Sequence, residues 1–233
     1  KYGSEGAKYY VDNYVLPKEI AKAHINGDIH IHDKDFYMLT ETCCQIDLIK
    51  LFKDGFCTGH GYLRAPQSIM SYASLACIAI QANQNEMHGG QSVPNFDYSM
   101  APGVAKTYVK EYYEALAQSL AVRLDLTYEE AYAIAKKIKE EVPAPTLSNA
   151  DALEAELCKW FTQADDKLGL DGKVLVAAHK NAADTAYINT DKATFQAMEA
   201  LVHNLNTMNS RAGAQVPFSS VNYGTDTSPE GRM

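Results

Sequence analysis

The sequence has no basic excess, no long apolar run, no CxxC pair and a single tryptophan. Each lack removes a class of function. Twenty-one Lys and Arg stand against 29 Asp and Glu, a formal charge of −8, so the surface lacks the positive field that non-specific nucleic-acid binding requires. A phosphate ligand must find local positive charge. The most apolar stretch, Ala73 to Ile80, is interrupted by Ser74 and flanked by Tyr72 and Gln81, far short of the roughly 20 apolar residues of a membrane helix. No basic segment leading into an apolar core opens the chain, so no secretory signal is expected. Cys43, Cys44, Cys57, Cys77 and Cys158 are odd in number and scattered, which predicts reduced thiols in a cytoplasmic compartment rather than a disulfide scaffold. Internal repeats, low-complexity tracts and the common phosphate loops GxxxxGKS/T and GxGxxG are missing too.

What remains is a chain of 233 residues, 46% of them apolar, enough to bury a sizeable core. It starts at Lys1 and stops at Met233 shortly after a strand-like segment, and both ends read as cuts in a longer protein. Tyr9, Tyr10, Tyr14 and Val15 sit at helical spacing, and Pro17 suits the first turn of a second helix, Lys18 to His24, closed by Asn26-Gly27. Ile29-His30-Ile31-His32-Asp33 alternates strictly, predicting an extended stretch with both imidazoles on one face. Asp47 to Phe56 reads as a short helix ending at Gly55. Thr58-Gly59-His60-Gly61 reads as a connector that lets the backbone approach something closely. Pro66 to Glu86 reads as a helix packed on several sides, through Ile69, Tyr72, Ala73, Ala76, Cys77, Ile80 and Gln81. Gln91 to Asp97 is read as irregular, and Pro102-Gly103 leads into a long helix to Leu124. Thr127 and Glu130 form a capping box, and Ser148 or Asn149 caps a helix running to Trp160. Asp191 to Asn209 reads as an amphipathic helix with Phe195, Met198, Leu201, Val202 and Leu205 inward. Pro217 to Gly224 reads as a closing strand.

Several constellations could carry chemistry. Two imidazoles at His30 and His32, with Asp33 and Asp35 beside them, could ligate a metal, bind a nucleotide as donors and acceptor, or be histidines satisfied by backbone carbonyls. Adjacent Cys43 and Cys44 on an extended chain point to opposite faces, so one at most faces a given pocket. Buried free cysteine usually acts as a small hydrophobe. Gly59-His60-Gly61 and His88-Gly89-Gly90-Gln91-Ser92 are glycine-rich without specifying a ligand. Lys106 and Lys110, one helical turn apart, could share an anion with Arg64, or simply form a solvated face.

His30-Ile31-His32-Asp33-Lys34-Asp35-Phe36-Tyr37, Cys43-Cys44-Gln45-Ile46-Asp47-Leu48, Gly55-Phe56 and Pro66-x-Ser68-Ile69 come first in an ordered set. His88-Gly89-Gly90-Gln91, Phe96-Asp97, Ala101-Pro102, and Asn206-Thr207-Met208 through Gly213-x-Gln215-x-Pro217-Phe218 complete it. In order and spacing the set resembles the anaerobic (class III) ribonucleoside-triphosphate reductases. That resemblance implies an α-rich α/β chain forming the first half of a ten-stranded α/β barrel of the glycyl-radical type. Residues 1–233 would be a partial catalytic domain, lacking the family's ATP-binding cone and its C-terminal radical and zinc region, and inactive alone.

The implied activity is reduction of ribonucleoside triphosphates to deoxyribonucleoside triphosphates for DNA synthesis, through a thiyl and a glycyl radical. Formate would be the reductant and Mg would accompany the nucleotide. Implied partners are deoxynucleotide and ATP effectors, a radical-SAM activating enzyme and a second copy of the chain; neither nucleic acid nor a membrane is expected. By position, Cys43 resembles the second catalytic cysteine, four residues before Asp47. His30, His32, Asp33 and Asp35 resemble the nucleotide-contacting strand, which favours nucleotide over metal there. Lys110 resembles a phosphate-binding lysine of the specificity-effector site, and Arg64 and Gln67 fall at other effector contacts, with residue types that depart from the family's. The rival readings are a nucleotide-binding dimerisation or regulatory module, and another glycyl-radical enzyme acting on a small carbon substrate.

Overall fold

The computed structural model describes residues 2–36, 43–87, 89–163, 171–209 and 216–233. The chain opens with helix α1 (Tyr2–Tyr10), whose last turn widens into a π-helical turn at Val11–Val15, and α2 (Lys18–Asn26) follows, ended by Gly27 in the left-handed conformation at φ 83°. The two predicted helices are therefore present. The predicted extended stretch at 29–33 is not a strand. The chain turns there, Asp33 adopts a positive φ of 47°, and a 3-10 turn occupies Lys34–Phe36. Alternation without a neighbouring strand to complete the backbone hydrogen bonds does not make a sheet. Instead, Lys34 Nζ donates to both carboxylate oxygens of Asp12 at 2.7 Å, a largely buried pair that pins this turn to the π-helical segment.

A three-stranded parallel sheet follows: β1 (Cys44–Gln45), β4 (Gln91–Val93) and β5 (Ser219–Val221), in the order β1-β4-β5. Cys44 pairs with Gln91 and Gln91 with Ser219, one residue on Gln45 pairs with Ser92 and Ser92 with Ser220, and Val93 pairs with Val221. The stretch expected to be irregular at Gln91 thus supplies the central strand. Gln-Ser-Val carries almost no apolar alternation, and its strand character comes from neighbours on both sides. Gln91 N–H donates to Phe218 O, while Ser92 O accepts from Ile46 N–H.

Between β1 and β4 lie α3 (Leu48–Asp54), a hairpin of β2 (Phe56–Cys57) and β3 (Tyr62–Leu63), and α4 (Ile69–Glu86). Asp47 caps α3 by accepting from Lys50 N–H, and Ser68 caps α4 in a reciprocal bond with Ser71. Gly59 and Gly61 serve the hairpin with positive φ of 87° and 146°, and nothing lies within 4 Å of a Cβ placed on either. No described residue makes a close approach to either glycine.

Among the described residues four helices lie between β4 and β5: α5 (Phe96–Leu124), α6 (Tyr128–Glu141), α7 (Ala150–Gln163) and α8 (Gly172–Thr207); a short α9 (Pro229–Arg232) follows β5. The Thr127–Glu130 capping box opens α6 as expected. α5 begins six residues before Pro102 and runs through it, although an interior proline loses a hydrogen bond and crowds the preceding turn. Its first turn is held from outside. Ser99 Oγ donates to Asn95 O, and Asp97 Oδ2 accepts from the backbone N–H groups of Gly224, Thr225 and Asp226 at 2.8–2.9 Å. α8 is one helix of 36 residues, about 54 Å at 1.5 Å per residue, of which the sequence pattern reveals only the second half. Leu201 faces inward as predicted and Met198 and Leu205 are partly covered, but Phe195 and Val202 are 71% and 56% exposed. Ala178, Ala182, Ala186, Thr190 and Ala197 are the fully buried positions. Small side chains let α8 lie close against α5, so the face with the larger residues is turned out.

Two apolar cores result. One joins α5, α6, α7 and α8 around Tyr112, Leu116, Leu120, Ile138, Leu157 and Leu175. The other packs α4, α5 and α8 under the sheet, through Ile69, Ile80, Val93, Met100 and Leu201. The description α-rich α/β holds, and among the described residues the strands form an open three-stranded sheet and the two-stranded hairpin. Among the described residues no helix is long and apolar enough to cross a membrane.

His179 is buried in the first core, with Nδ1 2.8 Å from Tyr112 Oη and Nε2 3.1 Å from Ala150 O. Nε2–H therefore donates to the carbonyl while Nδ1 accepts from the phenol. Burial holds the His179 pKa below its ordinary value, so the fold disfavours the imidazolium. Its contribution to stability is complete above the unfolded pKa of about 6.5 and is lost as pH falls from there towards the folded value. Urea midpoints measured between pH 8 and 5 are expected to decline through this window in the wild type and to flatten in His179→Gln; parallel curves for the two proteins would contradict the assignment.

Candidate active site

The strand register sorts the residues of the sheet by face. Cys44, Ile46, Gln91, Val93 and Val221 turn towards the helices, where all but Gln91 join the apolar core and Gln91 is itself buried. Cys43, Gln45 and Ser220 are exposed on the other side. That side opens on a cleft of about 440 Å³ whose lining includes Cys43, Gly90, Ser92, Phe218 and Ser220. The volume suits a small ligand.

Gly90 makes the cleft possible. A Cβ there would stand 3.1 Å from Cδ1 and 3.4 Å from Cε1 of Phe218, so the ring lies across the bare backbone at the start of β4. The cleft thus combines a thiol, two hydroxyls, a primary amide at Gln45 and an exposed aromatic ring. This set can donate a hydrogen atom, accept and donate hydrogen bonds to sugar hydroxyls, and offer one flat apolar surface. Among the described residues its lining contains no cation.

The two adjacent cysteines separate as expected. Cys43 is exposed, whereas Cys44 is half-buried and 2.8 Å from the Asn83 side-chain nitrogen. Cys77 is buried under the sheet, and burial raises its thiol pKa. Asp97, at the edge of the sheet, has its carboxyl held below the usual range by the backbone N–H of Asp226, with further help from those of Tyr98, Thr225 and Gly224. The linked stability is present above the ordinary carboxylate pKa of about 4 and lost as pH falls below it.

The remaining predicted residues lie apart from the cleft. His30 and His32 have ring centroids 5.8 Å apart, and His24 joins them at 5.8 Å from His30. His32 Nε2 is 3.3 Å from Asp33 Oδ2, and Asp35 accepts a hydrogen bond from Ser4 Oγ. These residues cluster within 2–36, and neither apolar core includes a described residue before Cys44. The structure brings the histidines together without a strand and does not bring them to Cys43. Among the described residues no group of three or more His, Cys, Asp or Glu could hold a metal ion.

Lys106 and Lys110 differ in their partners. Lys106 Nζ donates to Pro66 O at 2.9 Å and to Tyr72 Oη at 3.2 Å, and lies 5.3 Å above the Tyr72 ring. Lys110 is exposed, its nearest carboxylate Glu114 at 3.7 Å. Arg64 and Gln67 are exposed in the segment before α4 that Lys106 touches, so all three residues border the same part of α5. Tyr37, His88 and Gly213 to Gln215 lie outside the described residues.

Sequence reasoning missed Asn83, Gln84 and Gln91 as a connected polar group behind the sheet. The available signal was their polarity beside a helix that is otherwise apolar on almost every side.

The sequence model of the family described as anaerobic ribonucleoside-triphosphate reductase matches residues 1–233. The chain is 29% identical over 136 residues to the anaerobic ribonucleoside-triphosphate reductase of Escherichia coli, covering 58% of this chain and 18% of that protein. It is 31% identical over 119 residues to the enzyme of that name from Enterobacteria phage T4, covering 50% and 20%. With that of Salmonella typhimurium it shares 31% over 106 residues, covering 45% and 15%. The matched stretches thus span a fifth or less of these relatives' lengths.

Proposed function

The chain belongs to the anaerobic ribonucleoside-triphosphate reductase family, and on that premise we propose that the whole protein reduces ribonucleoside triphosphates to their 2′-deoxy forms, with Cys43 as one of its reacting thiols. The observation that carries this role is the position of Cys43 on the open face of a parallel sheet whose other face is covered by helices. Parallel sheets are normally covered on both faces. A bare face lined by a thiol, hydroxyls and one ring suits the interior of a barrel that further strands complete, and residues 1–233 would then be part of one catalytic domain.

A glycyl radical, expected outside this chain, would supply the oxidising equivalent when present, and formate the electrons for turnover. The chain's own residues have simpler tasks. Cys43 S–H would donate a hydrogen atom to the ribose carbon radical left when the 2′-hydroxyl departs as water, and the thiyl radical so formed would regain a hydrogen atom at the expense of formate. Ser92, Ser220 and Gln45 bind sugar hydroxyls, and Phe218 excludes water from one side. His30, His32, Asp33 and Asp35 are proposed as nucleotide contacts, which requires the 2–36 segment to approach the cleft when substrate is bound.

Lys110, with Arg64 and Gln67 nearby, is proposed to hold an effector triphosphate, since an exposed ammonium is a suitable point-charge ligand. Its only close carboxylate among the described residues, at 3.7 Å, is exposed as well and costs little to displace. Calorimetric titration of the whole protein with dATP, dGTP and dTTP in Mg²⁺ tests this. Saturable binding weakened about tenfold or more in Lys110→Ala is expected, the loss of one charge-assisted contact; identical isotherms would remove Lys110 from the effector site.

A further inference from the structure

One residue of the cleft has no task in the reaction above. Gly90 precedes β4 without using a glycine's backbone freedom, for Gly89 already makes the turn at φ 103° while Gly90 lies outside the left-handed region. What it supplies is space. Cys44 pairs with Gln91 and Gln91 with Ser219, Cys44 N–H donates to Gly90 O, and Gln91 N–H donates to Phe218 O. The residues just before these partners, Cys43, Gly90 and Phe218, therefore form the next row across the sheet, on its open face, since successive residues of a strand alternate faces. At about 4.8 Å between neighbouring strands, the thiol and the ring are rooted roughly 10 Å apart with bare backbone between them. Phe218 leans into that gap. A Cβ on Gly90 would stand 3.1 Å from its Cδ1, inside the ordinary carbon–carbon contact of about 3.5–4.0 Å.

We propose, resting on the reading of this cleft as the nucleotide site, that Gly90 is a positioning residue for the sugar: it lets the Phe218 ring lie low on the sheet, as a floor on which a furanose seats beside Cys43. Core packing does not require this contact. Phe218 is 74% exposed and belongs to neither apolar cluster among the described residues. A glycine at a strand position weakens the strand and often marks a place that another group approaches closely. Here the group is a ring whose electron-rich face suits the C–H edges of a sugar. Ser92 and Ser220, two residues further along the same face, suit its hydroxyls. With any side chain at position 90 the ring must rise by a few tenths of an ångström, and a sugar seated on it moves out of line with the thiol.

The test is a double-mutant cycle in the whole protein, read by anoxic turnover of a ribonucleoside triphosphate. Gly90→Ala should lower kcat by about tenfold to 10²-fold with KM within about threefold, as for a substrate held slightly out of place. Phe218→Ala should lower kcat by about tenfold, because the floor is gone. Gly90→Ala added to Phe218→Ala should then cost less than about twofold more, since no ring remains for the new methyl group to lift. Phe218→Ala removes an exposed ring and no core packing, so it folds whatever Gly90→Ala does, and a wild-type kcat in it overturns the proposal. A wild-type kcat in Gly90→Ala overturns it too. So does an equal loss from Gly90→Ala with and without the ring, which would place the effect in the strand itself. Full activity in Cys43→Ser, with the ring-dependent loss in Gly90→Ala intact, would instead overturn the role of Cys43 and leave the sugar's seat in place.

Discussion

Replacing Cys43 by serine in the whole protein is expected to lower ribonucleotide reduction by about three orders of magnitude or more while leaving triphosphate binding within about twofold. The change is one atom. A hydroxyl gives up a hydrogen atom far less readily than a thiol, and oxygen cannot share a transient bond with a second sulfur as a cysteine can. Because the Cys43 side chain is exposed at the cleft and absent from the core, the substitution removes no packing. Cys44→Ser should behave in the opposite way. Cys44 packs against the core under the sheet and is bonded by Asn83, so that variant should lose stability and retain chemistry. Anoxic turnover beside a calorimetric binding curve separates the two cases, and a dead Cys44→Ser with an active Cys43→Ser would exchange their roles.

The largest effect on stability is expected from Leu116→Ala. Leu116 is completely buried on α5, in the core shared with α6, α7 and α8. Its truncation removes apolar transfer energy and leaves a cavity that four packed helices cannot close, a loss of about 3–4 kcal/mol. Urea denaturation followed by circular dichroism measures it. The cleft lies over the other core, so activity per folded molecule should be unchanged, and a loss under about 1 kcal/mol would mean that the four helices are not packed at native density.

The sequence shows most clearly those features whose cause is local. Asp47 before α3, the Thr127–Glu130 box before α6 and Gly27 after α2 each act within one helical turn, and all are where the residues place them. Features held by distant partners are not legible in this way. β4 is a strand because β1 and β5 flank it, although Gln91-Ser92-Val93 has no strand pattern of its own. α5 passes through Pro102 because its first turn is gripped by Asn95 and by residues 224–226, more than a hundred positions away. Phe195 and Val202 face outward on α8 because alanines made the closer contact. Ile29 to Asp33 alternates like a strand without the partner that would make it one.

The site divides along the same line. The opposition of Cys43 and Cys44 follows from extended geometry alone and is visible in two letters of sequence. The contact of Cys44 with the amide at position 83 is not visible in this way, because it depends on how α4 crosses behind the sheet. The partners of Lys106 and Lys110 are hidden for a related reason. Helical spacing places the two lysines side by side, but Pro66 and Tyr72 on another segment engage the first of them.

Anoxic turnover of the activated whole protein with a ribonucleoside triphosphate, run for the wild type and for Cys43→Ser, tests most directly whether this chain serves ribonucleotide reduction through the thiol on the open face of its sheet. Deoxyribonucleoside triphosphate from the wild type and essentially none from Cys43→Ser is the expected result. Wild-type protein that is folded, activated and nucleotide-bound yet forms no deoxynucleotide, or a Cys43→Ser variant that forms as much as the wild type, would contradict it.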